Sequence, residues 1–268
     1  MFHKALIGMV HVGALPGSPR HRAPLSDIVV QAAREARILA DAGFDGVMIE
    51  NMHDRPYVTE HGPTTVAAMT AVALAVRDVI GDVPMGVQVL SNGEREALAV
   101  ALACGGAFIR CENFVFSHVG DEGLMTTAAA GGLLRYRREI GAEHVLVLAD
   151  VQKKHASHAI TGDMGVDELA RAAEFFLADG VIVTGTSTGE ATDVEDVAAV
   201  RSAVKGPVLV GSGVTPDQMG ALFEHADALI VGSFLKRGGR WENTVDAKRA
   251  KQLVREAGRV RGKVRGRS

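Results

Sequence analysis

Aromatic side chains are scarce in this 268-residue chain: one Trp, two Tyr and nine Phe, 4% of the residues. A core built from it must rest on Ala, Val, Leu and Ile. Cysteine is scarcer still. Cys104 and Cys111 make neither a disulfide framework nor a zinc-ligand set, and they fit a reducing cytosol, so a cytoplasmic location is expected. The N-terminal MFHKALIGMVHV turns polar too soon for a signal peptide or a membrane span, and no integral membrane segment is expected. A net charge of −3 and a pI near 6.4 give no footprint for nucleic acid. No linker, low-complexity tract or internal repeat beyond a β/α unit interrupts the chain. With 47% hydrophobic and 23% charged residues, the composition is that of a soluble globular protein.

What the chain does have is alternation. Apolar strand candidates fall at 5–11, 45–50, 85–90, 107–111, 144–150, 180–184, 208–211 and 228–231. Most are continuous apolar runs, as in parallel strands buried on both faces. Amphipathic helix candidates lie between them, among them 26–42, 64–80, 94–104 and 166–178, with Ser26 and Thr64 as N-caps and Gly43, Gly105 and Gly180 at the helix-to-strand junctions. Eight β/α units in a chain close to ~250 residues predict an α/β fold, a single (β/α)8 TIM barrel over residues 1–268 with a basic tail from about 258. The tail reads as the solvated, fraying end of the last helix. The even mixture of units disfavours a two-domain nucleotide-binding fold.

The odd chemistry lies in four long loops after the first, second, fourth and fifth strands, all on the face where barrel active sites sit. Polar residues also end at least six of the eight strands. His11 ends the first, Glu50 the second, and Gln88 stands near the end of the third. Arg110 and Glu112 share one face of the fourth; Asp150 ends the fifth, followed by Lys153, Lys154 and His155. A charged group at the end of an apolar strand is costly to bury unless it is paired or used. Asp150, after the apolar run 145–149, is the strongest catalytic candidate. Glu50, His155, His11, Arg110 and Lys154 complete the set. His11 reads equally as a hydrogen-bonded rim histidine, and Glu50 with Arg110 as an ion pair between barrel layers.

The stretches VLVGSGV and ALIVGS end the last two strand candidates in Gly and Ser, and Pro216 suits the first turn of a helix. Side by side, two such ends point N–H groups and hydroxyls at one anion. Gly211, Ser212, Gly213, Gly232 and Ser233 are therefore the candidate phosphate site, joined by Thr186 and Ser187 from the sixth strand end. No conventional metal motif is present. A divalent cation on Glu50, Asp150 and His155, shared with substrate phosphate, is neither required nor excluded by their spacing. The sixth strand carries no lysine, which gives Schiff-base chemistry little support.

Met9-Val10-His11 with Leu15–Pro19, VMIEN at 47–51, Phe108-Ile109-Arg110, LADV at 148–151 with Lys154-His155-Ala156, residues 184–189, VGSGVT at 210–215, and Ala226-Asp227 with residues 230–232 and Lys236 span most of the chain. Together they resemble the family of the photosystem I biogenesis protein BtpA and the sugar-operon protein SgcQ. The resemblance implies a TIM barrel of the phosphate-binding type, similar to ribulose-phosphate-binding barrels, and names no reaction. Two places depart from the family pattern: Ser91-Asn92-Gly93 stands where the pattern has Arg-Asn-Asp, and Glu112 where it has an Asn.

Two functions follow as expectations. One is an enzyme acting on a phosphorylated sugar or nucleotide-sugar. Asp150 or Glu50 would be its general base, His155 or His11 the partner acid, and Arg110 would face a developing oxyanion. Isomerisation, retro-aldol cleavage and glycosidic-bond hydrolysis all fit. The other is a non-catalytic assembly factor peripheral to a membrane, using the basic tail. Barrels of this class often associate, so a homo-oligomer is expected.

Overall fold

The computed structural model describes residues 2–185, 191–211 and 213–265. In chain order the strands are β1 (Ala5–His11), β2 (Gly46–Glu50), β3 (Met85–Gln88), β4 (Phe108–Cys111), β5 (His118–Gly120), β6 (Gly123–Met125), β7 (Leu146–Asp150), β8 (Ala156–Ser157), β9 (Gly180–Val183), β10 (Val208–Val210) and β11 (Ala228–Val231). All but β5, β6 and β8 form a closed parallel barrel, β1-β2-β3-β4-β7-β9-β10-β11 and back to β1. The described α-helices are α1 (Leu25–Ala42), α2 (Pro63–Ile80), α3 (Glu94–Cys104), α4 (Ala130–Glu139), α5 (Val166–Phe175), α6 (Val194–Ala203), α7 (Met219–His225) and α8 (Ala247–Arg265).

Strand parity sorts the side chains into two cores. Successive residues point to opposite faces. Ile7 and Met9, Met48, Phe108, Leu148, Ile182, Leu209 and Ile230 fill the barrel interior as an apolar plug. The alternate residues, such as Val10, Val47, Ile109 and Val147, pack outward on the helices. Continuing the inward parity by two residues gives His11, Glu50, Arg110, Asp150, Gly211 and Gly232. The polar mouth is thus the next layer of the same barrel, and adjacent strands bring His11 beside Glu50 and Glu50 beside Gln88.

The other end of the barrel repeats one device. Asp45, Asp179 and Asp227 each sit just before a strand and accept the backbone N–H of a neighbouring one: Leu6 at 2.8 Å, Val147 at 2.8 Å and Val208 at 2.9 Å. Each also pairs with an arginine, Arg261, Arg137 and Arg201 respectively. N–H groups at the first or second residue of β1, β7 and β10 are satisfied in this way, and the strand starts are pinned.

Several expectations about local structure change. α1 begins at Leu25 after Pro24 and α2 at Pro63 after Gly62, with no side-chain cap, so Ser26 and Thr64 are not N-caps. Proline at the first helical position, free of an N–H, starts α2 instead. Gly43 and Gly105 do close α1 and α3, at φ 95° and 65°. α5 stops at Phe175, three residues early, leaving Phe175 and Leu177 exposed. α8 runs into the basic tail as far as Arg265, and Arg261 binds the Lys4 carbonyl and Asp45. α2 is long and apolar enough to cross a membrane by length and composition, with mean hydropathy 1.4. In this fold it is an outer-layer helix packed beside α1 and α3, burying Ala68, Met69, Val72, Ala73, Val76 and Ile80.

Candidate active site

Three cavities meet at the carboxyl ends of the strands. A rim cavity of about 440 Å³ lies beyond β10 and β11, lined by Gly213, Thr215, Gly232, Ser233, Arg240 and Arg249 among others. A central neck of about 30 Å³ sits over the barrel axis, between His11, Glu50, Arg110, Lys154, Gly211 and Gly232. A cleft of about 350 Å³ opens on the far side under the loops after β2, β4 and β7, with Tyr57, Leu90, Glu112, Lys153 and His155 in its walls. The neck shares Gly213, Gly232 and Ser233 with the rim cavity, and Glu50, Met52 and Lys154 with the cleft. Trp241 lines both outer cavities.

At the neck, Arg110 and Asp150 form a buried bidentate pair, Nε–Oδ1 2.8 Å and Nη2–Oδ2 2.9 Å. Burial works against the guanidinium charge, and Asp150 more than restores it by charge and hydrogen bonding, so the Arg110 pKa is raised. Both Asp150 oxygens are spent on this pair, and its side chain is 0% exposed. Asp150 therefore stands behind Arg110 and fixes its fork, while Arg110 faces the neck. The ion pair expected between Glu50 and Arg110 is instead this one.

Glu50 is the carboxylate left facing the cavity. Burial raises its pKa, against the opposing pull of Lys154 and Arg110. Its Oε2 lies 3.9 Å from His11 Nε2. His11 Nδ1 lies 2.9 Å from the Trp241 carbonyl. Burial and then Lys236 hold the imidazole pKa well below 6.5. A neutral ring whose Nδ1 donates to a carbonyl must present Nε2 as an acceptor. His11 thus offers a lone pair toward Glu50. Lys154 lines the neck and the cleft, its pKa lowered by burial and then by Arg110. His155 is exposed at the cleft, at φ 56°, its pKa lowered by burial and then by Lys154.

Two glycines keep the neck open. A Cβ on Gly211 would lie 2.7 Å from Ile182 Cγ2 and 3.3 Å from Arg110 Nη2; one on Gly232 would lie 3.3 Å from His11 Nε2. Gly213, at φ 64°, turns the chain back over the rim. Gly211, Gly213, Gly232 and Ser233 all line the neck, whereas Ser212, Thr186 and Ser187 lie outside the described residues. Glu50, Asp150 and His155 are not brought together as ligands for a cation: Asp150 is spent on Arg110, and no group of three or more His, Cys, Asp or Glu fit to hold a metal occurs among the described residues.

Sequence reasoning missed the cleft. The antiparallel sheet β6-β5-β8, built from two of the long loops, carries Glu122 onto Lys153 at 2.7 Å, with side chains 6% and 5% exposed. Lys153 Nζ and Glu112 Oε2 each lie 3.4 Å from Ser91 Oγ. The two departures from the family pattern, Ser91 and Glu112, therefore touch one another. Burial raises the Glu112 pKa to about 7, in spite of Lys153. Trp241, with Arg55 4.4 Å over its ring and His53 5.2 Å away, was also missed. Its being the single Trp of an aromatic-poor chain was the available signal. Arg240 and Arg249 gave none, because nothing in a loop arginine or a helix-start arginine says which cavity it lines.

A family model described as the BtpA family matches residues 2–259. This chain belongs to the BtpA family. Among its relatives are an uncharacterized mitochondrial protein of Caenorhabditis elegans, 42% identical over 93% of this chain and 91% of that protein; an uncharacterized protein of Pyrococcus furiosus, 39% identical over 94% of each; and the photosystem I biogenesis protein BtpA of Synechocystis, 36% identical over 94% of this chain and 87% of that one. Solved structures of similar fold include N-(5'-phosphoribosyl)anthranilate isomerase of Pyrococcus furiosus, with TM-score 0.58, 14% identity, and coverage of 96% of this BtpA-family chain and 100% of that one. Another is (S)-3-O-geranylgeranylglyceryl phosphate synthase of Thermoplasma acidophilum, solved with its substrate sn-glycerol-1-phosphate, with TM-score 0.57, 17% identity, and coverage of 95% and 93%. At these identities the likeness establishes the TIM-barrel fold that the BtpA family shares with them.

Proposed function

We propose that this chain binds a phosphorylated sugar or nucleotide-sugar across the barrel mouth and transforms it by general acid/base chemistry, as an isomerase, a lyase or a glycosidic-bond hydrolase. One observation carries the reading: a glycine-rimmed cavity flanked by arginines opens, through the neck, onto buried carboxylates with raised pKa values. The phosphate sits against Gly213, Gly232 and Ser233, with Arg240 and Arg249 on the far wall. Remote binding of that group holds the reacting carbon over the neck. Arg110, made rigid by Asp150, stabilises negative charge developing on a substrate oxygen. Glu50 moves the proton, His11 accepts from the substrate hydroxyl that bridges to Glu50, and Lys154 and His155 border the reacting group. Asp150 acts in this scheme as the positioning residue of Arg110. The names of the two similar barrels include phosphorylated compounds, which agrees with the rim assignment.

Calorimetric titration with inorganic phosphate and ribose 5-phosphate tests the reading. Binding of both is expected, weakened at least ten-fold by Arg249→Ala and by Gly232→Asp. Absence of binding by either ligand would overturn it. The name of the Synechocystis relative supports the other reading, an assembly factor. In that case Glu50→Gln would leave the biological role intact in a complementation assay, whereas the enzymatic reading requires its loss.

A further inference from the structure

The two outer cavities are chemically unlike. The rim presents backbone, hydroxyls and two arginines, Arg240 near Glu242 and Arg249 over the Phe234 ring. The cleft presents Met52, Tyr57, Leu90 and Trp241 beside carboxylates. Of its cations, Lys153 is bound to Glu122 and Arg55 lies over Trp241, while Lys154 stands at the boundary with the neck. Asp121 and the Glu122–Lys153 pair disfavour a second phosphate or carboxylate in the cleft. What remains is a neutral group with apolar faces and polar edges. Tyr57 is fixed for that role, because its hydroxyl is held by the Met52 carbonyl at 2.8 Å and its ring is left to form wall. Arg55 borders the cleft beside Trp241, its Nε buried without a partner among the described residues. Glu112 adds a carboxyl that holds its proton near neutral pH.

Size agrees. The neck, at about 30 Å³, holds about one water-sized group, so only an edge of the sugar joining the two sides enters it. The outer cavities, of about 440 and 350 Å³, each fall in the ~300–1,000 Å³ range of small-molecule sites.

We infer that the cleft is the subsite for a planar heterocyclic ring attached to the phosphorylated sugar, so that the ligand class is a nucleoside 5'-monophosphate: phosphate at Gly232 and Ser233, ribose at the neck, base between Tyr57, Leu90 and Trp241. This rests on the phosphosugar reading above and narrows it. It places the bond between sugar and base beside Glu50 and Glu112.

The single Trp borders both cavities, so its fluorescence reports occupancy of either, and calorimetry supplies the affinity. Ribose 5-phosphate, the four common nucleoside 5'-monophosphates and the unphosphorylated nucleosides are titrated into the intact protein. At least one monophosphate is expected to bind ten-fold or more tightly than ribose 5-phosphate. Tyr57→Ala should remove that difference while leaving ribose 5-phosphate affinity within two-fold. Should Tyr57→Ala not fold, Leu90→Met and Arg55→Lys read the same preference. Equal affinity for ribose 5-phosphate and all the nucleotides overturns this inference and leaves the phosphosugar reading standing. So does an equal loss of both ligands in Tyr57→Ala. If neither ribose 5-phosphate nor any nucleotide binds, both fall together.

Discussion

At the foot of the barrel, Asp45, Asp179 and Asp227 each accept a strand N–H and meet an arginine, and they remain partly open to water. At the mouth, Glu50 and Glu112 are buried to 3% and 7% exposure, and among the described residues their contacts are long, 3.9 Å to His11 and 3.4 Å to Ser91. The same strands thus treat carboxylates in opposite ways at their two ends. A satisfied carboxylate in water-accessible surroundings costs little and anchors backbone. An under-satisfied one in a dry neck costs stability and is poised to exchange a proton. The foot closes the ring; the mouth holds unspent chemistry. Arg110–Asp150 is the exception at the mouth, a fully paired buried couple, and it serves as the rigid frame on which the rest of the neck hangs.

This contrast is open to measurement. The largest effect is expected from Arg110→Met. It strands Asp150 without a partner and should cost about 3–5 kcal/mol in denaturant unfolding, whereas Arg110→Met with Asp150→Leu should recover most of that stability and still fail to bind ribose 5-phosphate. A loss at the single variant no greater than that of a foot arginine would erase the distinction.

The second effect is on pH. An unfolded Glu titrates near 4.5 and folded Glu112 near 7. Between those values the folded chain holds more protons, so this group's contribution falls as pH rises through the window. Glu112→Gln should flatten the stability profile there. His11 has the opposite sign. Its lowered pKa means that stability is lost as pH drops below about 6.5, and His11→Asn should relieve that loss.

Smaller still, Glu50→Gln removes a carboxylate whose charge is disfavoured by burial. Its unfolding free energy at pH 7 should rise by about 0.5–2 kcal/mol, the trade expected of a functional residue. A fall instead would make Glu50 structural. At the bottom of the scale, Arg137→Met at the foot should change stability by about 1 kcal/mol or less and leave ligand titrations unchanged.

Eight apolar runs ending in polar residues, with helices between them, were legible because parallel strands buried on both faces leave that mark wherever they occur. Two strand candidates, 5–11 and 228–231, match β1 and β11 residue for residue. The foot device also leaves a trace, an Asp directly before Gly-Val or Ala-Leu at 45, 179 and 227, though nothing short of the assembled ring says what each Asp accepts. Inward parity made His11, Glu50, Arg110 and Asp150 neighbours of one axis. It could not divide them into spent and unspent groups.

The chain alone therefore determined the alternation, the barrel and which residues would crowd its mouth, since these follow from local periodicity and the closure of identical units. Tertiary structure alone decided that Asp150 faces Arg110 and not the cavity, that Trp241 fixes the tautomer of His11 from 230 residues away, and that two loops pair into a small sheet bringing Glu122 to Lys153. Partner choice among buried charges depends on distances of a few ångströms across strands and loops far apart in sequence. No pattern along the chain encodes such distances; they exist only once the ring has closed.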